Sequence, residues 1–281
     1  MTTPPQGPPA RSETRDVFEL RRLKEEHPDL GDAVDLQIEL LQLQRRVQSR
    51  VSLPSIPLEA SYLNERLAHP PILEFSQIPL DWGDLRFLVR ATAAAMRNHE
   101  ALEEADFRLA ESLARDADRL AIVAKLWYDA ARPGAAPLPP EVAGLDNVLL
   151  QSMRPFLTRA AEAIMARIDF AGWRAGTCPL CAGEPDLAVI TPSAERILIC
   201  ARCSARWRFH QLTCPFCLNP ERSRITSFAS RDGRYRLYGC DVCERYIKAY
   251  DARQASRPVL QVVDGVATLP LDAAAMQKGY K

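Results

Sequence analysis

The chain has 281 residues, of which 47% are hydrophobic and 26% charged, and its formal net charge at pH 7 is zero. This composition is ordinary for a globular protein, and a neutral chain gives no argument from overall charge for binding nucleic acid or a membrane surface. Residues 1–14 are polar and rich in proline, so we interpret them as a disordered tail without a secretory signal. Because no apolar run is long enough to span a bilayer, we predict no membrane insertion and expect the protein in the cytoplasm.

Residues 15–172 are predicted to form a helical domain, because apolar residues recur there at helical spacing. Helices are predicted over 33–51, 84–98 and 100–131, with a shorter one near 58–67 and a last one over 153–169. The long stretch ends at "RPGAAPLPP", where prolines and a glycine prevent a helix from continuing. Pro155 is compatible with the last helix only in its first turn.

From residue 177 onward, short strands replace the helical pattern. "PDLAVI" is predicted to pair with "ERILIC", and "RITSFAS" with "RYRLYG" around a tight turn at Asp232-Gly233. "ARWRFHQ" and "RYIKAY" are predicted as two further strands, with Trp207 and Phe209 on one face of the former. The region is therefore a weak internal repeat, in which each half reads as cysteine pair, hairpin, cysteine pair and strand.

All eight cysteines lie within residues 178–243, as four Cys-x-x-Cys pairs separated by 18, 10 and 22 residues. Such a pair can fold into a turn, called a knuckle, that offers both sulfurs to one ion, and two knuckles complete a tetrahedral site. Joining consecutive pairs predicts two metal sites, formed by Cys178, Cys181, Cys200 and Cys203 and by Cys214, Cys217, Cys240 and Cys243. A cross-brace would join the first pair to the third and the second to the fourth, but the internal repeat argues against it.

Disulfides, redox dithiols and an iron–sulfur cluster are rival interpretations of the cysteines. Disulfides need an oxidising compartment, and an iron–sulfur cluster has tighter and unequal ligand spacing. Four regular pairs with no thiol left over favour two sites with one ion each. Spacing leaves zinc and iron open, because both accept four sulfur ligands. Gly183 and Asn219 each follow a knuckle by two positions and tolerate the left-handed conformation that such turns use, which supports the interpretation as knuckles.

The motifs "CPLC", "CARC", "CPFC" and "CDVC", placed behind a helical half and followed by "VDGVATLPLDAAAMQKGY", resemble the formate dehydrogenase accessory proteins of the FdhE family. The resemblance is specific from Cys178 to Tyr280, and before that it rests on helical character alone. It implies a cytoplasmic maturation factor that binds the catalytic subunit of respiratory formate dehydrogenase before export. It also implies rubredoxin-like sites associated with iron, with all eight cysteines as ligands.

These inferences combine into an α+β fold, in which a helical N-terminal domain precedes two rubredoxin-like or zinc-ribbon-like β modules. The predicted boundaries are a tail (1–14), the helical domain (15–172), two four-cysteine modules (177–212 and 213–250) and a C-terminal tail packed on the metal domain (251–281).

The predicted function is that of a non-enzymatic accessory protein with two metal ions per chain, iron being favoured by the resemblance and zinc kept as the alternative. No nucleophile–base pair or nucleotide-binding fingerprint indicates catalysis. The alternative function is a zinc-ribbon nucleic-acid-binding protein with structural zinc, which would need a basic face with exposed aromatic residues. We expect no nucleic acid as partner, and homo-oligomerisation is left open.

Overall fold

The computed structural model describes residues 14–253, 255 and 257–281. The predicted disordered tail lies outside these residues, except for Thr14. The described residues contain ten α-helices: α1 (Arg15–Glu26), α2 (Gly31–Gln48), α3 (Ala60–Leu67), α4 (Trp82–Asn98), α5 (Glu104–Arg115), α6 (Ala117–Asp129), α7 (Pro140–Ala143), α8 (Asp146–Met165), α9 (Gln261–Ala267) and α10 (Leu269–Gln277). They also contain six strands: β1 (Pro185–Ile190), β2 (Arg196–Cys200), β3 (Arg206–Phe209), β4 (Ile225–Ala229), β5 (Tyr235–Cys240) and β6 (Arg245–Asp251).

The helical half packs around α4, which lies against α2, α5 and α8. The apolar stripe of α4 supplies Leu85, Leu88 and Val89, and all three side chains are fully buried. Their spacing places them on one face of the helix, so a single stripe reaches several neighbouring helices. The helical character predicted for this half is confirmed. α1 and α7 were not among the predicted helices, and the predicted stretches 100–131 and 153–169 differ most from the observed helices.

The stretch 100–131 forms two helices instead of the single predicted one. The chain leaves helical geometry at Asp116, whose side chain accepts a hydrogen bond from the N–H of Arg119 at 3.0 Å. An aspartate in this position caps the first turn of a helix by satisfying a backbone donor that has no partner within the helix. The cap ends α5 and starts α6 without interrupting the apolar spacing that suggested one helix.

The last helix of this half begins earlier than predicted, at Asp146, and Pro155 lies inside it. Proline has no N–H to donate to the carbonyl four residues before it, here that of Gln151. This carbonyl instead accepts from Nε2 of Gln44 on α2 at 3.0 Å. The prediction that Pro155 lies in the first turn is therefore wrong. The helix tolerates this proline in its interior because a side chain from another helix replaces the missing backbone hydrogen bond.

The six strands form one sheet in the order β3-β2-β1-β6-β5-β4. The two predicted hairpins, β1 with β2 and β4 with β5, are antiparallel as expected. β1 and β6 pair in parallel, from Leu187 opposite Lys248 to Ile190 opposite Asp251. The two repeats are therefore halves of one continuous sheet, joined through the first strand of one repeat and the last strand of the other.

The helical half and the first cysteine pair are joined by backbone hydrogen bonds. The N–H groups of Ile72 and Leu73 donate to the carbonyls of Pro179 and Leu180, both at 3.0 Å. The buried hydroxyl of Tyr128 donates to the carbonyl of Leu73 at 2.7 Å. One hydrophobic core includes residues from both halves. The domain boundaries given above remain a prediction.

The C-terminal segment, predicted as a tail packed on the metal domain, forms α9 and α10. Val263 and Val266 of α9 pack with Leu20 and Leu23 of α1. On α10, Asp272 accepts from the hydroxyl of Tyr246 at 2.7 Å and from Nζ of Lys248 at 2.6 Å. The segment thus contacts the helical half through α9 and the sheet through α10.

Asp264 anchors this segment, and its side chain is completely buried. It accepts hydrogen bonds from the hydroxyl of Tyr235, from Nη2 of Arg257 and from the N–H of Leu260, each at 2.7 Å. Asp264→Asn should lower the free energy of unfolding by about 3 kcal/mol, because it removes the closer of the two carboxylates that pair with the largely buried Arg257 and leaves only Glu19, at 3.8 Å. Urea denaturation followed by circular dichroism measures this change.

Asp232→Asn is the matched control, because Asp232 pairs with Arg234 at the surface. Its expected cost is below about 1 kcal/mol, as for other exposed ion pairs. Equal destabilisation by the two substitutions would contradict the role given to Asp264.

Candidate metal centres

The four Cys-x-x-Cys pairs fold into knuckles of one common geometry. In each, the N–H of the residue after the second cysteine donates to the carbonyl of the first cysteine, at 2.8–3.2 Å. That residue has a positive φ in all four knuckles: 58° at Ala182, 60° at Ser204, 58° at Leu218 and 57° at Glu244. None of the four is glycine, so each knuckle holds an L-residue in the strained left-handed region.

The left-handed residue follows the knuckle directly, so it is neither Gly183 nor Asn219. The absence of a side chain at Gly183 instead leaves room for the sulfurs. A Cβ atom at Gly183 would lie 3.1 Å from Sγ of Cys200 and 3.2 Å from Sγ of Cys181. Ser204 and Glu244 adopt the left-handed conformation, although neither residue type favours it, so their identity gives no sign of it in the sequence. The four residues with positive φ all come directly after a Cys-x-x-Cys pair, and this shared position is the sequence signal that could have identified them.

The first centre consists of Cys178, Cys181, Cys200 and Cys203, whose sulfurs all lie within 4.8 Å of one another. The measured Sγ–Sγ distances are 3.6 Å from Cys178 to Cys203, 3.5 Å from Cys181 to Cys200 and 3.6 Å from Cys181 to Cys203. All four cysteines are buried, with at most 2% of their surface exposed. This cluster sits inside the main hydrophobic core.

The second centre consists of Cys214, Cys217, Cys240 and Cys243, with the same limit of 4.8 Å between sulfurs. Sγ of Cys214 lies 3.6 Å from Sγ of Cys243, and Sγ of Cys217 lies 3.7 Å from Sγ of Cys240. Here Cys214 and Cys240 are buried, Cys243 is half-buried and Cys217 is exposed. The structure therefore brings the predicted cysteines together in consecutive pairs, which is the sequential arrangement and differs from the cross-brace.

The sulfur separations fit a single tetrahedral ion. A metal–sulfur bond of about 2.3 Å gives an edge of about 3.8 Å between sulfurs of a tetrahedron. The distances of 3.5–3.7 Å are close to this edge, whereas a disulfide would bring two sulfurs to about 2.05 Å. All eight cysteines are free thiols in this arrangement. Each cluster could therefore hold one metal ion.

Backbone N–H groups donate to sulfurs of both centres, and at Cys240 they favour the thiolate form that a metal requires. The N–H of Arg202 donates to Sγ of Cys200 at 3.4 Å. Burial raises the pKa of the Cys240 thiol, but the N–H groups of Cys243 and Val242 outweigh it and bring this pKa to about 7. Hydrogen bonds to the charged form lower the pKa of an acid, so this knuckle prepares Cys240 for a cation. Burial acts in the opposite direction at Cys178, Cys214 and Cys243 and raises the pKa of each of these thiols.

Arg202 ties the first centre to the helical half and was not identified from the sequence. Its guanidinium lies 3.9 Å from the centre of the Trp127 ring. It also donates to the carbonyls of Trp127 and Tyr128, both at 2.9 Å, where α6 ends. A cation near the C-terminus of a helix satisfies carbonyls that have no partner within the helix. No feature of "CARC" distinguishes this arginine from an exposed one.

The fold class is α+β, with a helical half and two zinc-ribbon-like units that share one sheet. Neither the protein-family models nor the curated proteins gave a match to this sequence. Among solved structures, the chain is similar to that described as the crystal structure of the FdhE protein from Pseudomonas aeruginosa. The similarity covers 95% of this chain and 92% of that chain, with a TM-score of 0.65 and 22% sequence identity.

This likeness establishes the fold over nearly the whole chain, including the helical half that the sequence motifs do not cover. It agrees with the fold implied by the resemblance to the FdhE family. Among the helices of the described residues, none is both long and apolar enough to cross a membrane.

Gly183→Ala should disturb the first centre, because the added methyl group forces the sulfurs of Cys181 and Cys200 to move. We expect a loss of about 1–3 kcal/mol in stability, as for other overpacked sites, and weaker retention of one of two metal ions. Dialysis against a chelator, followed by metal analysis, measures the retention.

Gly265→Ala is the control, because a Cβ atom there meets no other atom within 4 Å. It lies in α9 and should leave metal retention unchanged. Wild-type retention of both ions by Gly183→Ala would contradict the steric role of Gly183.

Proposed function

We propose that this chain is a cytoplasmic accessory protein for formate dehydrogenase, which binds the catalytic subunit of the respiratory enzyme and is needed for its activity. The supporting observation is a fold like that of an FdhE protein over 95% of the chain, together with eight cysteines gathered into two four-sulfur clusters. The sequence motifs around these cysteines resemble the same family. Binding to the catalytic subunit is what this resemblance implies.

We propose a binding role for this protein and no enzymatic one. All eight cysteines belong to the two clusters, so every thiol is assigned as a metal ligand and none is left over as a separate nucleophile. Cys178, Cys181, Cys200 and Cys203 would hold one ion, and Cys214, Cys217, Cys240 and Cys243 the other. If the ions are iron, as the family resemblance favours, each centre supplies reversible one-electron chemistry. If they are zinc, the centres stabilise the fold and shape the surface.

The nucleic-acid-binding alternative receives less support from the structure. It requires a basic face with exposed aromatic residues. Trp207 and Phe209 are instead buried in the core. Arg208 pairs with Glu195 and Arg236 with Asp251, both at 2.9 Å. These groups are already engaged in contacts within the protein, so we keep this alternative only as an outcome of the functional test.

Metal analysis of the purified protein should find about two equivalents of iron plus zinc per chain, one for each cluster. Iron would give a red oxidised protein whose colour bleaches with dithionite, whereas zinc would give a colourless one. Cys200→Ser should lower the total to about one equivalent, because it removes a ligand of the first centre only. A metal content near zero, with four disulfides found by mass spectrometry, would overturn the assignment of both centres.

Deleting the gene should lower formate dehydrogenase activity while the subunits of the enzyme are still made. The wild-type protein should restore activity and should retain the catalytic subunit in a pull-down from the cytoplasmic fraction. Cys178→Ser and Cys214→Ser should restore little activity, because each opens one metal centre. Ser227→Ala, at an exposed position of β4 in the same half, is the matched control and should restore activity fully.

Unchanged formate oxidation in the deletion strain, with no retention of the subunit, would show the accessory role to be wrong. A colourless protein that retards nucleic acid in a gel, with a steep loss of binding on added salt, would favour the nucleic-acid alternative.

A further inference from the structure

The two centres have the same knuckle geometry but different surroundings, so equivalent positions can be compared within one chain. The residue after the second cysteine is Ala182 in the first knuckle and Leu218 in the third. Ala182 is 4% exposed, whereas Leu218 is 55% exposed. The residue before the second cysteine is Arg202 in the second knuckle and Val242 in the fourth. Arg202 lies on Trp127, whereas Val242 is 53% exposed.

The helical half causes this difference, because it covers the first centre. The backbone bonds from Ile72 and Leu73 hold the first knuckle, and the contacts of Arg202 with the end of α6 hold the second. The carbonyl of Ala201, in the second knuckle, also accepts from Nη2 of Arg154 at 2.8 Å. A ligand could reach these sulfurs only after the two halves had partly separated.

The second centre is held in part by contacts near the surface. The hydroxyl of Tyr280 donates to Asp241 at 2.6 Å, and the N–H of Lys281 donates to the carbonyl of Glu244 at 2.7 Å. These contacts support the fourth knuckle from outside. They leave Cys217 exposed, with the exposed side chain of Leu218 next to it in the chain. One of the four sulfurs can therefore be approached from solvent in the folded protein.

We propose that the second centre is the reactive one, at which an external thiolate replaces Cys217 as a ligand of the bound ion, while the first centre is structural. In this exchange the incoming thiolate sulfur bonds to the ion, the bond from the ion to Sγ of Cys217 breaks, and the released thiolate takes a proton from water. The charge of the ion does not change. This inference rests on the metal binding proposed above and specifies which of the two centres a soft donor ligand can reach.

The accessible sulfur gives the second centre a chemical role that the first cannot have. A cysteine thiolate of a partner protein, presented on a short loop, could join this centre without unfolding the chain. The first centre would meanwhile keep the helical half and the sheet together, because its four ligands stay enclosed. One chain thereby combines a structural metal site with a site at which a ligand can be exchanged.

Metal release to an excess of the chromogenic chelator 4-(2-pyridylazo)resorcinol tests the proposal on the full-length, metal-loaded protein. We expect two phases of one equivalent each. The slow phase should be at least about tenfold slower, because release from the first centre requires partial opening of the protein. Alkylation by iodoacetamide during the fast phase, read by mass spectrometry, should label the cysteines of the second centre, with Cys217 first.

Arg202→Met and Val242→Ala form a matched pair, because they change the same position in two knuckles. Arg202→Met should accelerate the slow phase and leave the fast one unchanged, whereas Val242→Ala should leave the slow phase unchanged. If Arg202→Met does not fold, the alkylation order in the wild-type protein still decides the question.

Release of both equivalents at one rate, or earlier labelling of Cys178, Cys181, Cys200 or Cys203, would overturn the inference and leave the accessory function untouched. A metal-free protein would instead overturn the metal assignment on which the inference rests. The same experiment therefore separates the two failures through the total metal content and the release rates.

Discussion

The attachment of the first knuckle to the segment between α3 and α4 is the contact on which the rest of the structure depends. It joins residues about a hundred positions apart through backbone hydrogen bonds, from Ile72 to Pro179 and from Leu73 to Leu180. Tyr128 then connects α6 to the same segment through its buried hydroxyl. Helices, connecting segment and metal ligands therefore share one core, and an ion bound at the first centre would stabilise all of them together.

The internal repeat produces two centres that are alike in backbone and unlike in environment. A knuckle needs only its own few residues to form, so four of them fold in the same way. Burial depends on what lies outside the knuckle, and the helical half covers the first centre but leaves Cys217 of the second centre exposed. The two copies of the motif therefore differ in their environment because the helical half covers one of them more than the other. Their ligands remain the same in kind, four cysteines in each copy.

Features encoded within a few residues could be predicted from the sequence. The Cys-x-x-Cys pairs, the turn at Asp232-Gly233 and the alternation of Trp207 and Phe209 each specify local geometry, and the structure has them as expected. Features that depend on a distant partner could not be predicted. Gln44 satisfies the carbonyl that Pro155 leaves free, from 107 positions away, and the sequence around Pro155 contains no sign of it.

The same distinction applies to the candidate site. The eight ligands and their grouping follow from spacing and repeat, because both are properties of the chain itself. The exposure of Leu218 and the burial of Ala182 follow from tertiary packing, since the two residues occupy equivalent positions in the repeat. The parallel pairing of β1 with β6 was missed for the same reason, because strands about sixty residues apart leave no mutual signal in a single sequence.

That parallel pair makes the two repeats inseparable. β1 lies between β2 and β6, and its residues from Leu187 to Ile190 are all buried. A chain cut between the repeats would leave "LAVI" at an open sheet edge, with backbone donors and acceptors ready to pair with another copy. The duplicated motif can therefore diverge in its surroundings, but neither copy can be discarded without turning a buried central strand into a site of aggregation.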